Sequence, residues 1–277
     1  MRRLLVLLVL ALVGAGCTRR GAEGLPPGVA VEDLPDSESW EVRLRTSADG
    51  RAEVEVEAPY LARYTRDSAY VYLGPPPGQG SARAVEIRLF DDAGALRGSV
   101  RAREVWLFDD ASRVVAEGQA RATLSGDDGA VIDAARIEVD GEDVTATGGV
   151  SAEVFAGGGA RVRAPRLRIG PGGAFTASGG ATADLAGAAQ ATVSARTLSG
   201  DAGGTEASGG VRVLASGGRT LQAGRVVWRE AAARFSAPGA FTFDGPGERV
   251  QGVGLSASAD LSRYSFRRAT GQIEVRE

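Results

Sequence analysis

The sequence predicts an all-β protein built of antiparallel strands in a repeated unit. The first observation is a phrase, Ala-x-Gly-x-(small or Val)-x-(Ala, Val or Phe), that begins at Ala116, Ala146, Ala177, Ala207 and Ala237, in steps of 30, 31, 30 and 30 residues. A period of this length marks one supersecondary unit copied and stacked. The second is alternation of apolar and polar residues, as in Trp40-Val42-Leu44, Val54-Val56, Val85-Ile87-Leu89, Val211-Val213 and Ile273-Val275. A period of two belongs to half-buried strands. The third is glycine, 40 of 277 residues, about twice the usual share. It clusters at Gly126–Gly129, Gly157–Gly159, Gly170–Gly173 and Gly217-Gly218, as turns between strands require. Successive antiparallel strands with one apolar face make a stacked sandwich or an open, folded-over sheet.

Taken in order, residues 1–17 read as a bacterial secretory signal. Arg2 and Arg3 precede the apolar run Leu4 to Val13, and Gly14-Ala15-Gly16 leads to Cys17. The stretch Leu4–Gly16 is 13 residues, short of the ~20 that span a bilayer. Cys17 is the only cysteine, so no intrachain disulfide is possible; its position reads as a lipobox and so as a lipidation site, with Gly14 standing where Leu or Ile is usual, the alternative being a leftover cysteine beside an ordinary cleavage site. Several acyl chains on one cysteine anchor stably where one alone is marginal. Residues 18–37 hold three Pro and three Gly without periodicity and read as a tether. Residues 38–276 carry the strands, with 59–70 the one ambiguous piece. Each repeat is expected to hold two or three strands, the first following the Ala-x-Gly phrase. Between 174 and 204 the apolar residues thin to little more than Phe175, Leu185, Val193 and Leu198, while 205–266 are rich in them, so the middle is expected to have a thin core and the C-terminal third a wide one. The last strand, ending in Gln272, Ile273, Glu274 and Val275, has no capping helix after it. It reads either as a charge-protected edge or as an edge offered to a partner's strand.

Conventional catalysis is hard to assemble here. The chain has no His, which removes Ser-His-Asp, Cys-His and His-metal arrangements. The pairs Asp91-Asp92, Asp109-Asp110 and Asp127-Asp128 sit where strands end and read as turn formers rather than as a glycosidase or metal pair. No glycine run follows the phosphate-loop pattern. The reading is therefore not an enzyme, with no cofactor and no metal. All 32 basic residues are Arg; beyond the signal, 30 Arg stand against 35 acids, a mild acidity that gives no reason to expect nucleic acid.

The run Gly224-Arg225-Val226-Val227-Trp228, then Arg234–Phe243, then Val250–Phe266 with its Gly-x-Gly-Leu-x-Ala-x-x-Asp-Leu-x-x-Tyr segment, resembles LptC, the periplasmic bridge protein of the lipopolysaccharide export transporter. Ser39-Trp40-Glu41-Val42 and Ala48–Arg51 fit the start of that family, and the repeats between are similar to the broader OstA-like fold. The resemblance is strongest over 205–276. It implies an elongated OstA/LptC-like β-jellyroll, a folded-over antiparallel sheet of ~30-residue repeats. It also implies a groove that takes lipopolysaccharide acyl chains, with Val211, Val213, Leu221, Val226, Trp228, Phe235, Phe241, Phe243, Leu255, Leu261 and Phe266 as the candidate lining residues, each of which ordinary core packing would equally explain. The implied partners are lipopolysaccharide, the jellyroll domains of the inner-membrane export permease and a periplasmic LptA-like bridge protein. Two departures stand out. The family's N-terminal spanning helix is replaced here by the expected lipid anchor; the resemblance implies the periplasm of a Gram-negative-type bacterium, with the inner membrane favoured over the outer and the anchor itself leaving both open. The Ala/Gly-rich repeats of 144–204 lengthen the chain. A lipid-free repeat scaffold with a filled interior is the rival reading, and a glycan-active enzyme using two acids a more distant one.

Overall fold

The computed structural model describes residues 34–48, 50–65, 69–79, 83–108, 113–125, 129–141, 143–154, 160–185, 190–201 and 203–273. The signal segment, Cys17 and most of the tether lie outside the described residues, as do Glu274 and Val275 of the last strand. Among the described residues there are eighteen strands and no α-helix, and the strand pairs are antiparallel. The all-β, folded-over architecture expected from the repeat is the one observed. The chain divides into two compact units, residues 34–125 with 135–144 and residues 129–134 with 145–273.

The first unit holds β1 (Ser37–Ala48), β2 (Arg51–Tyr64), β3 (Tyr70–Gly74), β4 (Val85–Phe90), β5 (Leu96–Ala102), β6 (Glu104–Phe108) and β7 (Arg113–Leu124). Of the ambiguous stretch 59–70, residues 59–64 form the end of β2 and Tyr70 the start of β3, while 66–68 lie outside the described residues. The chain enters β1 held in place: the Asp36 N–H donates to the Arg63 carbonyl, and the Asp36 carboxylate accepts from the Thr65 N–H and hydroxyl. β1 pairs β2 along its whole length. Beyond β2 the sheet forks. Val54–Glu57 pair β4, whereas Tyr60–Tyr64 pair β3. The two branches rejoin on β7, whose Arg121–Leu124 pair β5 and whose Arg113–Glu117 pair β6. The long strands thus fold at their middles and contribute to two layers.

The second unit contains the start of β8 (Ala130–Asp140), most of β9 (Asp143–Val154), then β10 (Ala160–Ile169), β11 (Phe175–Leu185), β12 (Ala191–Asp201), β13 (Gly204–Leu214), β14 (Thr220–Arg229), β15 (Arg234–Gly245), β16 (Glu248–Ser258), β17 (Tyr264–Ser265) and β18 (Arg268–Ile273). From β10 to β16 each strand pairs the next. One repeat is therefore a hairpin of two strands.

The repeated phrase does not precede a strand, as the sequence suggested; it occupies strand centres. Gly118, Gly148, Gly149, Gly179, Gly180, Gly209 and Gly210 all have φ between 80° and 94° inside β7, β9, β11 and β13. The ladder register shifts across the Gly pairs, between Ser178 and Ala181 and between Ser208 and Val211. A left-handed pair that only glycine adopts cheaply bends the strand over. Turns and bends need the same φ, so glycine spacing alone does not tell one from the other. The intervening strands bend on a second phrase, Ala-x-x-(Leu, Ile or Val). It is seen at Ala58–Leu61, Ala134–Ile137, Ala164–Leu167 and Ala195–Leu198, and at Ala102–Val105, where the bend separates β5 from β6. Pro59 and Pro165 fall at these bends and Pro238 at the bend of the first phrase in β15, where a lost ladder N–H costs least. The two phrases interlock. A Cβ on Gly118, Gly179 or Gly209 would lie 2.7, 3.2 and 2.7 Å from the side chains of Arg103, Pro165 and Arg196, each the second residue of an Ala-x-x-Leu-type bend on the adjacent strand.

Burial follows the bends. Ala177 and Ala181, Ala207 and Val211, and Ala237 and Phe241 flank the bends and are buried, as are the Ala and Leu or Ile of the second phrase. Alanine fits there because the two layers close on each other at the fold line. Outside, charged residues form exposed ion pairs such as Arg163–Asp184, Arg225–Glu206 and Arg249–Asp244, which solvent screens.

Candidate functional site

The candidate lining residues gather between the two layers of the second unit. One cross-strand row runs Val162, Ala183, Val193, Val213, Leu221, Phe243, Val250 from β10 to β16. Closer to the bend, Val211, Ala223 and Phe241 are in register. Beyond it, Leu167, Ala177, Leu198, Ala207 and Val226 form another row. Toward the strand ends on that side lie Ile169, Phe175, Gly200, Thr205, Trp228, Phe235, Ala257 and Tyr264. The first row grows from Val and Ala to Leu and Phe along the chain. The thin middle and wider C-terminal end expected from the sequence are visible in those side chains.

Tyr264 demonstrates the fold directly. On β17 it pairs Ala257, near the end of β16. Its ring nevertheless stands 4.7 Å from Phe243, and its hydroxyl donates to the Glu248 carboxylate at the start of β16. A straight strand would put Glu248 and Ala257 about 30 Å apart; one ring reaches both because β16 is bent. Burial, with the Glu248 hydrogen bond, pushes the Tyr264 phenol up to about 12.

Of the eleven candidates, Val211, Val213, Leu221, Val226, Phe235, Phe241, Phe243, Leu255 and Leu261 are buried. Trp228 is half-buried, with its ring 4.6 Å from Phe235. Phe266 is 42 % exposed and lies 6.3 Å from Phe241. The apolar rows thus fill the space between the layers and reach solvent along one margin, where Ile169, Phe175, Trp228 and Tyr264 are half-buried. Leu261 is carried by a short return segment after β16 and turns inward at φ 55°. The Asp260 carboxylate fixes that turn by accepting from the Ser258 hydroxyl at 2.6 Å and the Ser262 N–H at 3.0 Å, which holds its pKa well below the carboxylate range. Ala259 and Leu261 thereby plug the end of the core. Sequence alternation alone would not have found this plug; its signal is the Ser258-Ala-Asp-Leu-Ser262 turn.

Of the edge residues, Gln272 and Ile273 lie on β18, which pairs Glu248–Val253 of β16. Among the described residues no strand pairs the other side of β18, and β1 likewise pairs β2 alone in its unit. Asp91 is a turn former: its carboxylate accepts from the N–H groups of Ala93 and Ala95 at 2.9 and 2.8 Å. Asp109-Asp110 and Asp127-Asp128 lie outside the described residues. No protein-family model matches the chain, and no curated protein matches it.

Proposed function

We propose that this protein is a lipid-anchored periplasmic component of lipopolysaccharide export, which carries acyl chains between the layers of its folded-over sheet and bridges the inner-membrane transporter to the next jellyroll protein. The observation that carries the reading is the continuous apolar seam of the second unit, from Val162 to Phe243, with a half-buried aromatic margin at Phe175, Trp228 and Tyr264. Layers joined along one fold line can part at the other margin without breaking their ladders, so an acyl chain can replace side-chain contacts with its own at small cost in exposed apolar area. The sides of β1 and β18 on which no strand pairs among the described residues support strand addition by the two partners. The resemblance at Gly252–Tyr264 supplies the choice of lipid.

The test is a photo-crosslinking residue at Trp228, which keeps the buried core intact, and in parallel at Phe241. Lipopolysaccharide adducts at both positions are expected in cells. Adducts at neither, with the protein folded, would overturn the lipid role. Phe241→Asp should abolish the adduct at Trp228 while circular dichroism still reports a sheet; global unfolding would make Trp228 the deciding position.

The second reading is a scaffold that binds no lipid. The close packing of Phe235, Phe243 and Leu261, each 0 % exposed, favours it. It expects no lipid adduct and a melting temperature unchanged by lipopolysaccharide.

A further inference from the structure

The first unit carries apolar residues on both faces of its sheet, and on the second face half-buried aromatic rings lie over the buried Tyr60, Ala62 and Val115. Leu61, Leu73, Val105 and Ala116 are in cross-strand register on β2, β3, β6 and β7 and are buried, so they mark the core face. Side chains alternate along a strand; the neighbouring residues therefore belong to the opposite, outer face. There Tyr72, Trp106 and Val115 form one row, and Tyr64, Tyr70, Phe108 and Arg113 another. Trp40 stands 5.7 Å from Tyr60, Tyr60 6.2 Å from Tyr72, and Tyr72 5.6 Å from Trp106. Tyr64 stacks on Tyr70 at 4.5 Å, and Tyr70 lies 5.7 Å from Phe108. Four of the five tyrosines and two of the three tryptophans share this face. Tyr60 is buried beneath it, Trp40 is 57 % exposed, and the other rings are half-buried.

Beside the rings is an open depression of about 240 Å³ lined by Trp106, Phe108, Arg113, Val115, Glu117 and Arg136. Its charges are fixed. Arg136 pairs with both Glu117 and Glu138, and Arg113 pairs with Glu138 at 2.7 Å while lying over the Phe108 ring. The Arg136 hydrogen bond, and Arg113 beside it, hold the Glu138 carboxyl below its ordinary value against partial desolvation. Two guanidinium groups and two carboxylates give rigid forks of donors and acceptors with no net charge.

We propose that this face is a carbohydrate-binding platform for a chain of neutral hexopyranose rings. A pyranose has an apolar C–H face, which suits the negative face of an aromatic ring, and a rim of hydroxyls that both donate and accept. The depression is smaller than the ~300–1,000 Å³ of drug-sized pockets and takes a single ring; the exposed Trp40 and the aromatic rows extend the contact. Nucleic acid and anionic bilayer surfaces require free Arg charge, whereas Arg113 and Arg136 are both paired to carboxylates, and a purely aliphatic ligand would bury the charged lining without hydroxyl partners. The platform stands independently of the lipid reading, which concerns the interior of the other unit.

The test titrates the full chain, made with Trp228→Phe so that fluorescence reports the first unit, with cellohexaose, maltohexaose and the lipid-free polysaccharide released from lipopolysaccharide by mild acid. Quenching is expected with at least one of them. Trp106→Ala and, separately, the rim change Arg136→Ala should weaken binding tenfold or more with unchanged circular dichroism. If Trp106→Ala fails to fold, Arg136→Ala decides. Binding of the released polysaccharide alone assigns a glycolipid as the source of the sugar; binding of the plain glucans as well assigns polysaccharide in general, and both support the platform. No binding by any saccharide, binding of intact lipopolysaccharide only, capture of protein partners only, or saccharide binding that neither substitution weakens would each overturn it.

Discussion

Gly209 shows at single-residue scale what the repeated phrase is for. Its φ of 84° and the 2.7 Å approach of the Arg196 stem leave no room for a Cβ. Its neighbour Gly210 has nearly the same φ, 80°, but faces open space. Gly210→Ala should therefore cost only left-handed strain, about 1–2 kcal/mol. Gly209→Ala should cost more, since Arg196 must also be displaced. Urea unfolding of both variants measures the difference, and equal losses would show that the interlock adds nothing. Phases of single residues were harder to read from sequence. Val56 pairs Ile87 on the core side, and Ala58, two residues on, shares its face. A strict period of two would put Tyr60 there too. The bend at Pro59 instead puts Leu61 in register with Leu73 and the buried Tyr60 on the face of Tyr72, so the aromatic face is invisible to pattern alone.

Elements differ in how well the same hairpin is filled. β11 and β12 bury mainly alanine, at Ala177, Ala181, Ala183, Ala191 and Ala195, with Val193 and Leu198. β14 and β15 bury Leu221, Val226, Phe235, Phe241 and Phe243. With roughly 25 cal/mol for each Å² of apolar surface buried, the alanine-built hairpin has less to lose on opening. Its backbone amides should exchange with deuterium at least tenfold faster than those of β14 and β15, measured by mass spectrometry of peptides from each. Uniform protection would show that the strands open as one cooperative body. Within each strand, amides at the register shifts, such as those between Ser178 and Ala181, should be the first to exchange.

For the whole molecule, the proposed attachment is through Cys17 and is tested there. If Cys17 is lipidated, Cys17→Ser should move the protein from the membrane fraction to the soluble periplasmic fraction, followed by immunoblotting; persistence in the membrane fraction would sink the anchor. Composition and period determined much by themselves. Alternation at Val85-Ile87-Leu89 and Val211-Val213 marks half-buried strands, and a 30-residue period marks one unit copied several times, because both depend only on local spacing. The tertiary structure alone decided that the glycine pairs bend strands rather than end them, that Leu261 plugs the core, and that Tyr70, Tyr72, Trp106 and Phe108 gather outside it. The physical reason is that a bend consumes two or three residues without marking which. Every side chain beyond it can then face either layer, and only the pairing of one strand with the next fixes the choice.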